Sequence, residues 1–299
     1  MQSCDEKDAP IQAQLGKAGE TTIGLLAGGG SLPLEAARLL RNRGFSVVAI
    51  GFDGLTDSSV RAAVTDARFV RLGQLEAMAA AMAEMDVRRL LLVGKVSKSL
   101  LFDGRGIAEP DAEALRVLSL QLERGDEPLM QAIADWLSGR GFELCDQSEL
   151  LAPLLASVGS LSARSPSEGE LADFALGRSV VAQLGRSGVG QCVVVKEGSV
   201  LAVEAIEGTD ATIRRAGELG GPGATVIKAA RPSQDRRFDL PAIGPVTIEA
   251  MIAAKAAGLA IEARSTLIVD REALMNRADR AGIAVWGFEV ERPPERFTP

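Results

Sequence analysis

Short apolar runs recur along this chain, and a helix-forming stretch follows almost every one. Ile23–Ala27 (IGLLA), Phe45–Gly51 (FSVVAIG), Ala67–Leu72 and Arg89–Val93 (RLLLV) read as strands. Leu34–Arg43, closed by Gly44, and Gln74–Met85 read as helices between them. A brief run that is apolar throughout suits a strand buried on both faces. Strands and helices in alternation predict a mostly parallel α/β sheet with right-handed crossovers. Two more helices, Glu109–Glu123 and Glu127–Ser138, and a short strand at Phe142–Cys145 extend the pattern.

The pattern then breaks. Ala156–Ala163 is small and polar enough for a linker. Ser165-Pro166-Ser167-Glu168 follows, and it predicts a capped helix start with Ser165 as the cap, running to about Leu184. Gln191–Lys196 and Val200–Ala205 flank Glu197-Gly198-Ser199, a hairpin signal. Strand and helix candidates continue at Ala224–Lys228, Thr247–Ala257, Leu259–Glu262, Thr266–Val269, Glu272–Ala281 and Ile283–Trp286. A chain of 299 residues suits two domains. The expected division is a flexible leader over 1–21, an N-terminal α/β domain over 22–150, a linker over 151–164 and a C-terminal α/β or α+β domain over 165–290.

Composition removes whole classes of chemistry. The chain has no histidine and no tyrosine. Ser-His-Asp and Cys-His catalysis, H-E-x-x-H metalloproteases and H-x-E deaminases are therefore excluded. Proton transfer falls to Asp, Glu, Lys, Cys or water, and a metal would meet oxygen ligands, which suit Mg²⁺, Mn²⁺ or Ca²⁺. Forty acidic against 33 basic side chains give a net charge of −7, which argues against nucleic-acid binding. Cys4, Cys145 and Cys192 are scattered and form no C-x-x-C pair, as in a reducing compartment. The first 20 residues lack the apolar core of a signal peptide, and no stretch reaches the roughly 18 apolar residues of a membrane span. A cytosolic protein is expected.

Four segments carry candidate chemistry. Gly28-Gly29-Gly30-Ser31 joins a strand to a helix, where glycines let a phosphate approach the backbone and free N–H groups attract it. Pro33 breaks the dinucleotide fingerprint, and no Gly-Lys-Ser/Thr follows, so a tight turn capped by Ser31 is the other reading. Lys95 follows the strand ending at Val93 and either reaches the same crevice or sits in solvent. Glu207-Gly208-Thr209-Asp210 offers a hydroxyl and two carboxylates, or a helix start capped by Thr209 or Asp210. The richest segment is Lys228-Ala-Ala-Arg-Pro-Ser-Gln-Asp-Arg-Arg-Phe-Asp239-Leu-Pro-Ala-Ile-Gly-Pro245. Its basic excess suits a phosphorylated ligand, and its carboxylates suit a divalent cation. A surface loop of solvated ion pairs is the alternative, and Asp239 could also cap the turn at Leu240-Pro241.

Together these segments resemble the LpxI family of UDP-2,3-diacylglucosamine diphosphatases. The likeness runs from about Ile23 to Phe288. It rests on IGLLAGGGSLPL at 23–34, LVGKV at 92–96, GDEPLMQAI at 125–133, EGTDATIRR at 207–215 and KAARPSQDRRFDLPAIGPVTI at 228–248. The resemblance implies a Rossmann-like N-terminal domain and a catalytic C-terminal one. It implies hydrolysis of UDP-2,3-diacylglucosamine to UMP and 2,3-diacylglucosamine 1-phosphate (lipid X) in lipid A biosynthesis, with Mg²⁺ or Mn²⁺. The implied partners are this substrate and its product, the cytoplasmic surface of the inner membrane, and a second copy in a homodimer. Gly29, Gly30, Ser31, Lys95, Thr209, Asp210, Lys228, Gln234 and Arg237 are the expected substrate contacts. Asp235 is the expected catalytic residue and, with Asp239, the expected metal ligand. A nucleotide-sugar binding module without turnover is the alternative.

Overall fold

The computed structural model describes residues 21–96, 110–119, 126–232 and 234–290, the side chains of 126–128 excepted. The leader, the ends of the expected helix Glu109–Glu123 and the start of the GDEPLMQAI motif lie outside that description. The chain divides into two compact units between Leu150 and Leu151.

The first unit runs β1 (Thr22–Ala27), α1 (Leu32–Asn42), β2 (Ser46–Phe52), α2 (Val60–Ala63), β3 (Asp66–Val70), α3 (Leu75–Glu84), β4 (Arg89–Val93), α4 (Ala112–Ser119), α5 (Asp126–Gly139), β5 (Glu143–Leu144) and α6 (Gln147–Leu150). Its five strands are all parallel, in the order β3-β2-β1-β4-β5. The chain steps outward from β1 to β3 and then returns to lay β4 on the other side of β1. The strand order therefore reverses between β1 and β4, the place where open parallel sheets bind ligands. Ile23, Leu25, Leu90 and Leu91 are wholly buried, as expected of continuous apolar strands. Pro33 sits at the start of α1, where a missing N–H costs nothing, and Ala36, Ala37 and Leu40 bury the inner face of the helix.

The second unit holds β6 (Gly159–Ser160), α7 (Glu168–Arg186), β7 (Cys192–Lys196), β8 (Ser199–Val203), α8 (Thr209–Gly220), β9 (Thr225–Lys228), β10 (Ala242–Ile243), α9 (Pro245–Ala253), β11 (Gly258–Glu262), β12 (Leu267–Ile268), α10 (Arg271–Ala281) and β13 (Ala284–Phe288). Six strands form a mixed sheet, β6-β13-β11-β9-β7-β8, in which β9, β11 and β13 are parallel. Alternate residues of each strand serve opposite faces. Val193, Val195, Ile227 and Ala260 pack with Phe174 and Val181 of α7. Cys192, Val194, Val226, Leu259 and Ile261 pack with Ile213 of α8, Met251 of α9 and Leu274 of α10. Each large side chain so buried contributes roughly 1.5–3 kcal/mol.

Three local expectations change. The helix start lies two residues later than predicted. Ser167 is the cap of α7, its hydroxyl accepting from Glu170 N, while the Glu170 carboxylate accepts from Ser167 N. The S-x-x-E pattern occurs twice in register, and the later copy is used because Arg164 also holds Glu170, at 2.6 and 2.8 Å. The stretch 151–164, expected as a linker, is bonded into the second unit. Ala156 N donates to the Thr266 carbonyl, Leu161 N to the Val285 carbonyl, and β6 pairs with β13. At the start of α8 the cap position belongs to Gly208, not to Thr209 or Asp210. The hairpin forms with Glu197 and Gly198 both at positive φ, the geometry of a two-residue turn. Asp173 of α7 accepts both of their N–H groups.

Candidate functional site

In the first unit the glycine loop meets the end of β4 at the reversal point. Gly28 N donates to the Val93 carbonyl at 2.7 Å, and Gly29 and Lys95 exchange two backbone hydrogen bonds of 2.9 Å. The first two glycines therefore commit their N–H groups to the neighbouring chain rather than keeping them for a phosphate. Their smallness is still needed: a Cβ on Gly28 would stand 2.9 Å from the Gly94 backbone, and one on Gly94 2.8 Å from the Gly29 carbonyl. What faces outward is the other half of the turn. Gly30 and Ser31 are exposed, and the Ser31 hydroxyl caps nothing in α1. Exposed Lys95 stands across the splice. The structure thus brings Gly29, Gly30, Ser31 and Lys95 together at a helix N-terminus suited to an anion.

In the second unit the functional groups collect at the carboxyl end of β9. Its last residue, Lys228, is only 6% exposed. The ammonium donates to the Thr209 hydroxyl at 3.1 Å and to the Ala242 carbonyl at 2.9 Å. Thr209 donates in turn to Glu204 Oε1 at 2.8 Å, and Glu204 Oε2 accepts from Gln191 N at 3.1 Å. Thr209 and half-buried Asp210 open α8, so the N–H groups of its first turn lie next to the ammonium. A helix start beside a lysine is a place for phosphate oxygens.

The segment after β9 is an ordered loop, tied down at both ends. Ala229 N reaches the Gln191 carbonyl, Ala230 N reaches Glu262 Oε2 at 2.8 Å, and the Pro241 carbonyl accepts from Leu267 N. Gln234 closes it: its Oε1 accepts from Arg231 N at 2.8 Å and its Nε2 donates to the Asp239 carbonyl. Both ends of that amide are engaged inside the loop, so Gln234 shapes the loop rather than offering itself to a ligand. Arg237 clamps Asp235 through its backbone N at 2.9 Å, its Nε at 3.0 Å and its terminal nitrogen at 2.6 Å. Arg231 pairs with Asp239. Partial burial pushes the Asp235 carboxyl up, but the Arg237 side chain and backbone N–H outweigh it and hold it below the usual carboxylate range. Burial, seconded by the negative charges of Glu204 and Asp210 and opposed by Lys228, pushes the Cys192 thiol well up. It stays protonated and is no nucleophile.

Among the described residues, no three carboxylates or thiols converge as a metal cage. Asp235 and Asp239 already hold guanidinium groups. Mg²⁺, however, usually keeps several waters and takes one or two carboxylates plus phosphate oxygens of the substrate. Each of these two carboxylates would have to exchange a guanidinium for an ion brought in with a diphosphate.

Two buried carboxylates bonded to this cluster escaped the sequence reading. Glu204 and Glu262 are 7% and 3% exposed, and each ends an apolar run, LAVE at 201–204 and GLAIE at 258–262. A lone charge closing an apolar run was the available signal, since such a group must find partners once buried.

The LpxI N-terminal domain family matches residues 22–154 and the LpxI C-terminal domain family residues 157–286. A protein of Caulobacter vibrioides named UDP-2,3-diacylglucosamine pyrophosphatase LpxI is 33% identical over 287 residues, covering 91% of this chain and 99% of that protein. Two solved structures also align. One is glycinamide-RNase-transformylase T from Mycobacterium tuberculosis, at 20% identity over 62% of this chain and 44% of that one, with a TM-score of 0.23. The other is the biotin carboxylase domain dimer of Hydrogenobacter thermophilus 2-oxoglutarate carboxylase, at 11% identity over 66% and 40%, with a TM-score of 0.24. At such scores neither bears on the fold or the chemistry of this chain.

Proposed function

The chain belongs to the LpxI family, and from that membership we propose that it hydrolyses UDP-2,3-diacylglucosamine to UMP and 2,3-diacylglucosamine 1-phosphate in lipid A biosynthesis. Water adds to one phosphorus, the bridging P–O bond breaks, and two protons are released as both phosphate monoesters ionise. The observation that carries the reading is the cluster at the end of β9: a buried lysine, a helix N-terminus and a loop of paired arginines and carboxylates.

Lys228, the N–H groups opening α8 and Arg237 hold the diphosphate and meet the negative charge that builds on it. Stabilising that charge is the protein's main contribution to phosphoryl transfer. Thr209 and Asp210 flank those oxygens. Asp235, ionised and a weak base, orients the attacking water and need not deprotonate it strongly. Asp235 and Asp239 are the residues that would hold Mg²⁺ or Mn²⁺, which supplies charge neutralisation and a more acidic water. In the first unit, Gly30, Ser31 and Lys95 form a separate helix-start site that suits an anionic group. Ile206, fully exposed three residues before Thr209, offers an acyl chain an apolar surface beside the polar site.

No described helix is long and apolar enough to cross a membrane. A substrate with two acyl chains lies in a bilayer, so the protein works at the inner-membrane surface. Free Cys145 and Cys192 fit its reducing, cytoplasmic side.

Incubation of the purified protein with UDP-2,3-diacylglucosamine and Mg²⁺ tests this. Release of UMP and the lipid phosphate is expected, with loss after EDTA and recovery on adding Mg²⁺ or Mn²⁺. Binding without UMP release would instead identify a nucleotide-sugar binding module. Full activity after exhaustive chelation would remove the metal from the scheme.

A further inference from the structure

Glu204 sits at a place where a carboxylate is costly. It is 7% exposed, and its oxygens meet a hydroxyl and a backbone N–H rather than a cation. Burial of a charge in such surroundings needs an opposite charge close by. That charge is Lys228, one hydroxyl away: 3.1 Å from ammonium to Thr209 Oγ1, then 2.8 Å on to Glu204.

We propose that Glu204 is a positioning residue for Lys228, acting through the hydroxyl of Thr209. The proposal rests on the diphosphatase reading. A threonine hydroxyl has a single hydrogen. Glu204 takes it, so the oxygen presents a lone pair to Lys228 and cannot turn its hydrogen toward the ammonium. The Ala242 carbonyl accepts a second lysine N–H. Two of the three ammonium donors are thereby fixed in direction, and the third is aimed by them. Direct contact between Glu204 and Lys228 would tie up that third donor and cancel the field felt by a phosphate. The intervening hydroxyl keeps the compensating charge close while leaving the ammonium open to an anion. Gln191 N, on the second oxygen, prevents the carboxylate from swinging onto the lysine.

The test uses the full chain and UMP release from UDP-2,3-diacylglucosamine, with wild type, Glu204→Gln, Lys228→Met, the double variant, Thr209→Ser and Thr209→Val. Glu204→Gln keeps the volume and removes the charge. It is expected to lower kcat/KM by about 10- to 100-fold with an unchanged melting curve. Thr209→Val falls with Glu204→Gln, and Thr209→Ser, which keeps the hydroxyl, retains more activity than Thr209→Val. In the Lys228→Met background, Glu204→Gln changes kcat/KM by less than about twofold, because residues acting through one another are not additive. An equal factor in both backgrounds would overturn the proposal, as would a wild-type-like Glu204→Gln. A Glu204→Gln chain that failed to fold would leave Thr209→Val to decide, through the same comparison. If turnover of Lys228→Met is too slow to follow, the cycle is read as Kd for the substrate under chelator. Failure of wild type to release UMP overturns the diphosphatase reading alone, since the Kd cycle still decides the relay.

Discussion

Asp235 has two roles that a substitution can separate. Its carboxylate takes three donors from Arg237, which hold the loop after β9 in one shape, and it faces the reacting phosphate in the proposed scheme. The ion pair is partly solvated, at 35% and 22% side-chain exposure, so its loss should cost stability no more than about 1 kcal/mol. Loss of a transition-state contact worth about 1.4 kcal/mol already costs tenfold in rate. Asp235→Ala should therefore keep less than about a tenth of kcat and still melt within a few degrees of wild type, by steady-state kinetics and thermal denaturation. A variant that keeps its rate moves the chemistry to another residue. Asp235, Arg237 and Lys228 were legible as residue types in a dense motif. The partnership of Lys228 with Glu204 was not, because residues 24 apart are seen to share the Thr209 hydroxyl only once the second sheet is formed.

At the scale of the element, α7 shows how a side chain chooses a helix boundary. Ser165 and Ser167 each have a glutamate three residues on, and propensity alone does not separate them. Arg164 decides: its guanidinium spans Glu170, the Ala257 carbonyl and the Gly282 carbonyl, and only the later box leaves Glu170 in its reach. Ser167→Ala should cost about 1 kcal/mol in urea denaturation, and Ser165→Ala little. The Glu170 carboxyl is held below its ordinary value of 4.5, by Arg164 first, against burial, with help from Ser167. A depressed folded-state value means stability that is complete above 4.5 and drains away as pH falls through it toward the folded-state value. Urea midpoints at pH 6 and pH 3.5 should therefore differ more for wild type than for Glu170→Gln. Equal pH sensitivity would mean that the carboxyl is not linked to folding.

Across the whole molecule, the two sheets solve different problems. The first is wholly parallel, with its order reversing at β1 and β4, so the glycine loop and Lys95 meet there although some 65 residues separate them. The second mixes a hairpin with parallel strands and places Lys228 and Glu262 at the carboxyl ends of the neighbours β9 and β11. Residues 151–164 belong to this second body: Leu151, Leu154 and Ala156 are buried, and Arg164 bonds three separate segments. A fragment of residues 151–299 should unfold in one cooperative urea transition. A fragment of 165–299 lacks β6 and the Arg164 clamp, and should show a broad transition or none. Equal cooperativity in the two would return 151–164 to the status of a tether.

The alternation of strand and helix, the histidine-free chemistry, the family and the loops dense in polar groups could all be read from the residues alone. These depend on residue type and short-range spacing, which one chain displays openly. The order of the strands, the pairing of the Gly28 and Gly29 N–H groups with the end of β4, the second of two possible caps for α7, and the burial of Glu204 behind Thr209 emerge only in the folded chain. Each of those is a contact between distant segments, and its energy exists only after the sheets have closed water out and left every buried charge and N–H to find a partner inside.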